Sequence, residues 1–143
     1  MKIKPVVSVM IETRHTSYDV DFELTQNITF IVGDSGVGKS AVFSFLQEVS
    51  AEDSRIKCFN YLDLKKGYKT SLKNSNGKLF VIDNADILLD DKLRAYIATD
   101  MKNQYIIIGR NPKGLMLQQD EIFELKSEKK GDRTRFSLVK SFG

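Results

Sequence analysis

The residues best suited to chemistry are consecutive. Gly33-Asp34-Ser35-Gly36-Val37-Gly38-Lys39-Ser40 fits the pattern G-x-x-x-x-G-K-[ST] at every position. A phosphate chain is held by donors, and this string is rich in them. Its glycines let the backbone take positive φ and bring successive N–H groups close to phosphate oxygens. A helix starting near Lys39 would add the positive end of its dipole. The Lys39 ammonium would reach the β- and γ-phosphates, and the Ser40 hydroxyl would be a ligand of Mg²⁺. The expected phosphate-contacting stretch runs from Gly33 to Ala41.

Two further polar clusters follow apolar runs. Asp83 closes Leu79–Ile82 (LFVI) and is the candidate to orient Mg²⁺ through water. Its other reading is a strand-end aspartate capping a turn. Asn84 comes next, and a carboxamide cannot take a proton from water at neutral pH. The nearest carboxylate is Asp86, which could position an attacking water or simply cap the segment before Ile87. After YIII come Gly109, Arg110 and Asn111. Ligands of open parallel sheets sit beyond the carboxyl ends of the strands, so Asn111 or Arg110 could sense a γ-phosphate. Gly-Arg-Asn-Pro is also good turn chemistry. The catalytic candidates are therefore Lys39, Asp86 and Asn111, with Ser40 and Asp83 at the metal.

Composition removes several alternatives. One cysteine, Cys58, excludes an internal disulfide and a cysteine zinc site, and one histidine, His15, excludes a His-rich centre. The net charge of +3 is too small to argue for nucleic acid without a concentrated patch. Lys126, Lys129, Lys130, Arg133 and Arg135 do cluster, but Glu124, Glu128 and Asp132 are interleaved. They read as a solvated hairpin tip, with a weak phosphate-backbone contact as the sharper alternative. No apolar run approaches the ~18–20 residues of a membrane span, and Val6–Ile11 is too short for a signal-peptide core. A cytoplasmic location is expected.

The elements that must position these residues follow from periodicity. Val7, Val9 and Ile11, then Tyr18, Val20, Phe22 and Leu24, alternate as two strands of an antiparallel hairpin. Asn27–Val32 is a short apolar strand feeding the glycine string. Val42, Phe45, Leu46 and Val49 then fall at helical spacing. Ile56–Tyr61 is a strand, and Lys65–Lys78 reads as loop with room for one helical turn. Leu79–Ile82 and Gln104–Ile108 read as strands buried on both faces. Asp90 could cap a helix carrying Leu93, Tyr96, Ile97 and Met101 on one side. Ile122–Leu125 and Thr134–Leu138 suggest two last strands joined by the charged turn SEKKGDR. Alternating strands and helices imply a mostly parallel sheet, with both hairpins adding antiparallel strands at its edges.

In this order of motifs the chain resembles the P-loop NTPase superfamily. Walker A corresponds to Gly33–Ser40, Walker B to Leu79–Asp83, and a sensor-like strand to Gln104–Ile108. The string IDNAD resembles AAA+ and related ATPases, and the opening hairpin is similar to that of ABC-type ATPases. The resemblance implies an α/β fold: a three-layer P-loop core with a mostly parallel sheet and edge hairpins, in one domain over residues 1–143. It implies binding of ATP (or ADP) with Mg²⁺. The small-GTPase pattern is incomplete, because Asp83-Asn84-Ala85-Asp86 lacks a fourth-place glycine and Asn111-Pro112-Lys113-Gly114 is not a guanine reader. Neither an LSGGQ-like string nor a helical lid is expected. Slow hydrolysis that depends on a second copy or a protein partner is the leading expectation. A non-hydrolysing nucleotide-binding switch is the alternative, ahead of a small-molecule kinase, whose clustered arginines are missing.

Overall fold

The structure is a computed structural model and describes residues 5, 7, 10–14, 18–32, 39–60, 63 and 67–141. Along the chain run β1 (Met10–Arg14), β2 (Tyr18–Glu23), β3 (Ile28–Val32), α1 (Lys39–Glu52), β4 (Ile56–Phe59) and α2 (Tyr68–Asn74). They are followed by β5 (Leu79–Ile82), α3 (Ala85–Leu88), α4 (Asp91–Thr99), β6 (Gln104–Gly109), β7 (Ile122–Lys130) and β8 (Arg133–Lys140). The strands form one sheet in the order β1-β2-β8-β7-β3-β6-β5-β4. Only the hairpin pairs β1–β2 and β7–β8 are antiparallel, and the other pairings are parallel. The fold is thus mixed α/β with a mostly parallel sheet, as expected.

The apolar runs LFVI and QYIIIG are fully buried because helices cover both sheet faces. Side chains alternate across a strand, so β6 sends Ile106 and Ile108 to one side and Tyr105 and Ile107 to the other. On the first face Val42, Phe45 and Leu46 of α1 meet Ile31, Val81, Ile106 and Ile108. On the second, Tyr68 and Leu72 of α2, Leu88 of α3, and Leu93 and Ile97 of α4 meet Phe30, Phe80, Ile82 and Ile107. Each such side chain contributes roughly 1.5–3 kcal/mol by leaving water. These two cores hold the carboxyl ends of β3, β5 and β6 in fixed relation.

Several elements differ from expectation. The first strand begins at Met10 and runs to Arg14, where pairing with Glu23 to Asp19 fixes it, so Val7 precedes it. The last hairpin is not at an edge. It is inserted between β2 and β3, with β8 beside β2 and β7 beside β3. Buried Val20 lies opposite Phe136, and Ile31 opposite Phe123, so the insertion covers apolar residues on both sides. The charged stretch 127–130 is strand, and the turn is only Gly131-Asp132, where Gly131 takes φ 65°. Three basic residues of this hairpin are matched in charge: Arg133 pairs with Asp19 at 2.7 Å, Arg135 with Asp21, and Lys126 with Glu128 at 2.9 Å. The polar stretch before β5 contains the helix α2, anchored where the Tyr68 hydroxyl donates to the Leu88 carbonyl at 2.5 Å. Met101 lies beyond α4 and is 62% exposed, so it does not extend the apolar side of that helix.

Candidate functional site

Strand order decides which candidate residues can meet. β6 pairs with β3 on one side, Val32 opposite Gly109, and with β5 on the other, Ile82 opposite Ile107. Neighbouring strands lie 4.7–4.9 Å apart, so the axes of β3 and β5 are about 10 Å apart with β6 between them. All three strands end at the same edge. Gly33–Gly38, which leave β3, lie outside the described residues. Lys39 and Ser40 are the first residues of the 14-residue helix α1, and Ala41 is half-buried against the first core.

Asp83 leaves β5 half-buried, with its N–H donating to the Phe59 carbonyl at 2.8 Å. Its Oδ1 accepts the Asn84 N–H at 2.9 Å. Asn84 takes φ 54° and ψ 44°, the left-handed region that Asn tolerates better than most residues. This turn starts α3 within three residues of the strand and so delivers Asp86 to the end of β6.

There Asp86 meets the loop that carries Arg110 and Asn111. Its Oδ2 accepts the Arg110 N–H at 2.9 Å and its Oδ1 the Asn111 N–H at 3.1 Å. Gly109 allows the approach, since a Cβ there would lie 3.1 Å from the Ala85 Cβ and 3.4 Å from Asp86 Oδ2. The Asn111 Oδ1 accepts the Lys113 N–H at 3.0 Å, which closes the turn. Asp86 and Asn111 are therefore brought together, and both already serve the local backbone.

One participant was missed in the sequence. Arg94 of α4 is 6% exposed and donates Nη1 to the carbonyls of Asn111 and Lys113, both at 2.7 Å, and Nε to that of Leu89 at 3.1 Å. Its Nη2 lies 3.7 Å from Asp86 Oδ1. The signal was available: Arg94 falls three residues before Ile97, on the apolar side of the helix, where a cation needs partners. Asn84, Asp86, Ile87, Arg94, Arg110 and Asn111 line an open cleft of about 630 Å³ at this edge.

Other chemistry is sparse. Burial pushes the Cys58 thiol up to about 11, so it stays protonated and unreactive near neutral pH. Among the described residues no three His, Cys, Asp or Glu side chains group as a metal site. Mg²⁺ needs no such cage, because it keeps waters and takes one or two protein ligands plus phosphate oxygens. An aspartate at the end of β5 suits that requirement. Among the described residues no helix is long and apolar enough to cross a membrane. No protein-family model matches the chain, and no curated protein matches its sequence.

Proposed function

We propose that the chain binds Mg²⁺-ATP at the carboxyl edge of its parallel sheet and hydrolyses it slowly, in a site completed by a second copy or a protein partner. One observation carries this reading. The strand that feeds GDSGVGKS and the strand that ends in Asp83 stop at the same edge, one strand apart, and a helix starts at Lys39. That spacing suits a phosphate tail held by loop amides at one end and by a carboxylate-oriented cation at the other. Lys39 would neutralise the β- and γ-phosphates, and Ser40 and Asp83 would hold the cation. The cation when bound would offset charge on the transferring phosphoryl group. Asn111 stands one strand from both and would donate its carboxamide N–H to the γ-phosphate.

A specific observation favours the non-hydrolysing alternative. Asn84 stands where a base would follow Asp83, and both oxygens of Asp86 already accept backbone amides. Turnover therefore depends on a group supplied from outside the chain, and an arginine from a partner would raise it by about 10³–10⁵.

Calorimetric titration with ATP, ADP and GTP, with and without Mg²⁺, tests the reading, together with phosphate release and light scattering. Lys39→Ala should weaken ATP binding at least tenfold, and Asp83→Asn should remove most of the Mg²⁺ dependence. Phosphate release no faster than in Lys39→Ala would select the binding module. GTP bound ten times more tightly than ATP would end the ATP assignment, and flat curves would end the nucleotide reading.

A further inference from the structure

Resting on that nucleotide reading, we propose that Asp86 and Arg94 are positioning residues: they clamp the loop after β6 and so fix Asn111 for discrimination between a nucleoside triphosphate and a diphosphate. The clamp holds four backbone groups with two side chains. Asp86 accepts the N–H groups of Arg110 and Asn111, and Arg94 donates to the carbonyls of Asn111 and Lys113. Asn111 is gripped on both sides of its own Cα, which leaves its side chain little freedom to drift. Arg94 is itself held by the Leu89 carbonyl and lies beside the Asp86 carboxylate.

The same geometry argues against Asp86 as the base for water. Each of its oxygens is aimed at an amide, and a swing toward a water would release two donors and the neighbouring guanidinium. It also links two strand ends. Asp83, the left-handed Asn84 and Asp86 lie within four residues of one another, and Asp86 is bonded directly to the loop beyond β6. A displacement at Asp83 is thereby passed to Asn111 through a short, stiff path.

The substitutions Asp86→Asn and Arg94→Lys separate the clamp from general stability. The first places an NH₂ donor opposite a backbone N–H. The second keeps the charge but loses the planar fork that reaches several carbonyls. The readouts are ATP and ADP affinity by calorimetry, amide hydrogen exchange at Arg110 and Asn111, and thermal melting. We expect each variant to lose at least fivefold in preference for ATP over ADP, with ADP affinity within twofold of wild type. Exchange at the two amides should rise at least tenfold. Added to Asn111→Ala, either substitution should cost no further preference, because the residue being positioned is already gone. Unchanged exchange, or losses that multiply with Asn111→Ala, would overturn the clamp while leaving nucleotide binding intact. A wild type with flat titration curves would overturn the nucleotide reading itself and this proposal with it.

Discussion

At the amino end of the parallel strands, Asn27, Asp100, Asn103, Gln104 and Tyr105 are each no more than 5% exposed. At the carboxyl end, Asp86, Arg110 and Asn111 are exposed and line a cleft. Both ends are polar, but they differ in what answers the polar groups. At the amino end the answer is internal. Asp100 Oδ2 accepts the Tyr105 hydroxyl at 2.6 Å and the Asn103 Nδ2 at 2.9 Å, while its Oδ1 accepts the Lys102 N–H at 2.8 Å. Asn27 Nδ2 donates to the Asn103 carbonyl at 2.6 Å, tying the start of β3 to the start of β6. Burial, then the Asp100 carboxylate, push the Tyr105 phenol far above its ordinary value, so it remains a proton donor. At the carboxyl end the Asp86 carboxylate and the Arg94 guanidinium are answered largely by backbone groups beside an open cleft, and a left-handed Asn84 is tolerated there. A buried polar network rigidifies when every member is satisfied. A strained, open one is the place for a ligand.

This contrast is broken most sharply at Asp100. Asp100→Ala leaves the buried Tyr105 hydroxyl without its carboxylate acceptor, at about 1–3 kcal/mol, and takes one partner each from the Asn103 NH₂, which keeps the Ser75 carbonyl, and from the Lys102 N–H. With partial relaxation the loss should reach about 3 kcal/mol in urea unfolding, while the folded fraction binds ATP as before. Asp83→Asn at the other end should do the opposite, changing Mg²⁺-dependent affinity and leaving the urea midpoint in place. If Asp100→Ala cost less than 1 kcal/mol, or altered nucleotide affinity, the division of labour between the two ends would be wrong.

How much of this was legible follows from the physics of each signal. Fully buried strands announce themselves as apolar runs, so β3, β5 and β6 were readable, as were the helix after Lys39 and the Asp90 cap. α2 was obscured because only Tyr68 and Leu72 of its seven residues face the core, among lysine, serine and asparagine. The place of the last hairpin could not be read, since pairing between strands far apart in sequence leaves no local trace. The candidate site was legible only in its residue types. Asp83, Asp86 and Asn111 were found by their position after apolar runs, but bonds made to backbone amides are invisible in residue type. The Asp86–Arg94 brace was therefore missed.

A middle-sized effect sharpens the contrast, because not every polar residue near the carboxyl end awaits a ligand. Asp90 caps α4 by accepting the Leu93 N–H at 2.8 Å and pairs with Lys69 at 2.6 Å. The Lys69 ammonium, then the Leu93 N–H, hold its carboxyl below the ordinary value of 3.8. A depressed folded-state pKa gives stability that is complete above the unfolded value and is lost as pH falls through the folded one. Asp90→Ala should cost about 1 kcal/mol at pH 7, mostly from the lost cap, since the ion pair is exposed. The gap to wild type should stay constant down to about pH 4 and narrow below it. A gap that grew in acid would mean that the carboxylate is not the stabilising form.

The smallest effect lies between the two ends, in the strand that joins them. Thr29 of β3 is 1% exposed, and its Oγ1 has no hydrogen-bond partner among the described residues. It belongs to neither class: no described neighbour answers it, and it is closed to solvent. Valine has nearly the same shape, and β-branching keeps the strand preference. Removing the hydroxyl relieves a desolvation cost without opening a cavity. Thr29→Val should therefore stabilise the protein by roughly 0.5 kcal/mol in urea unfolding, with nucleotide affinity unchanged. Destabilisation would mean that the hydroxyl has an acceptor after all, and the strand linking the two edges would then be part of a polar path rather than an apolar partition between them.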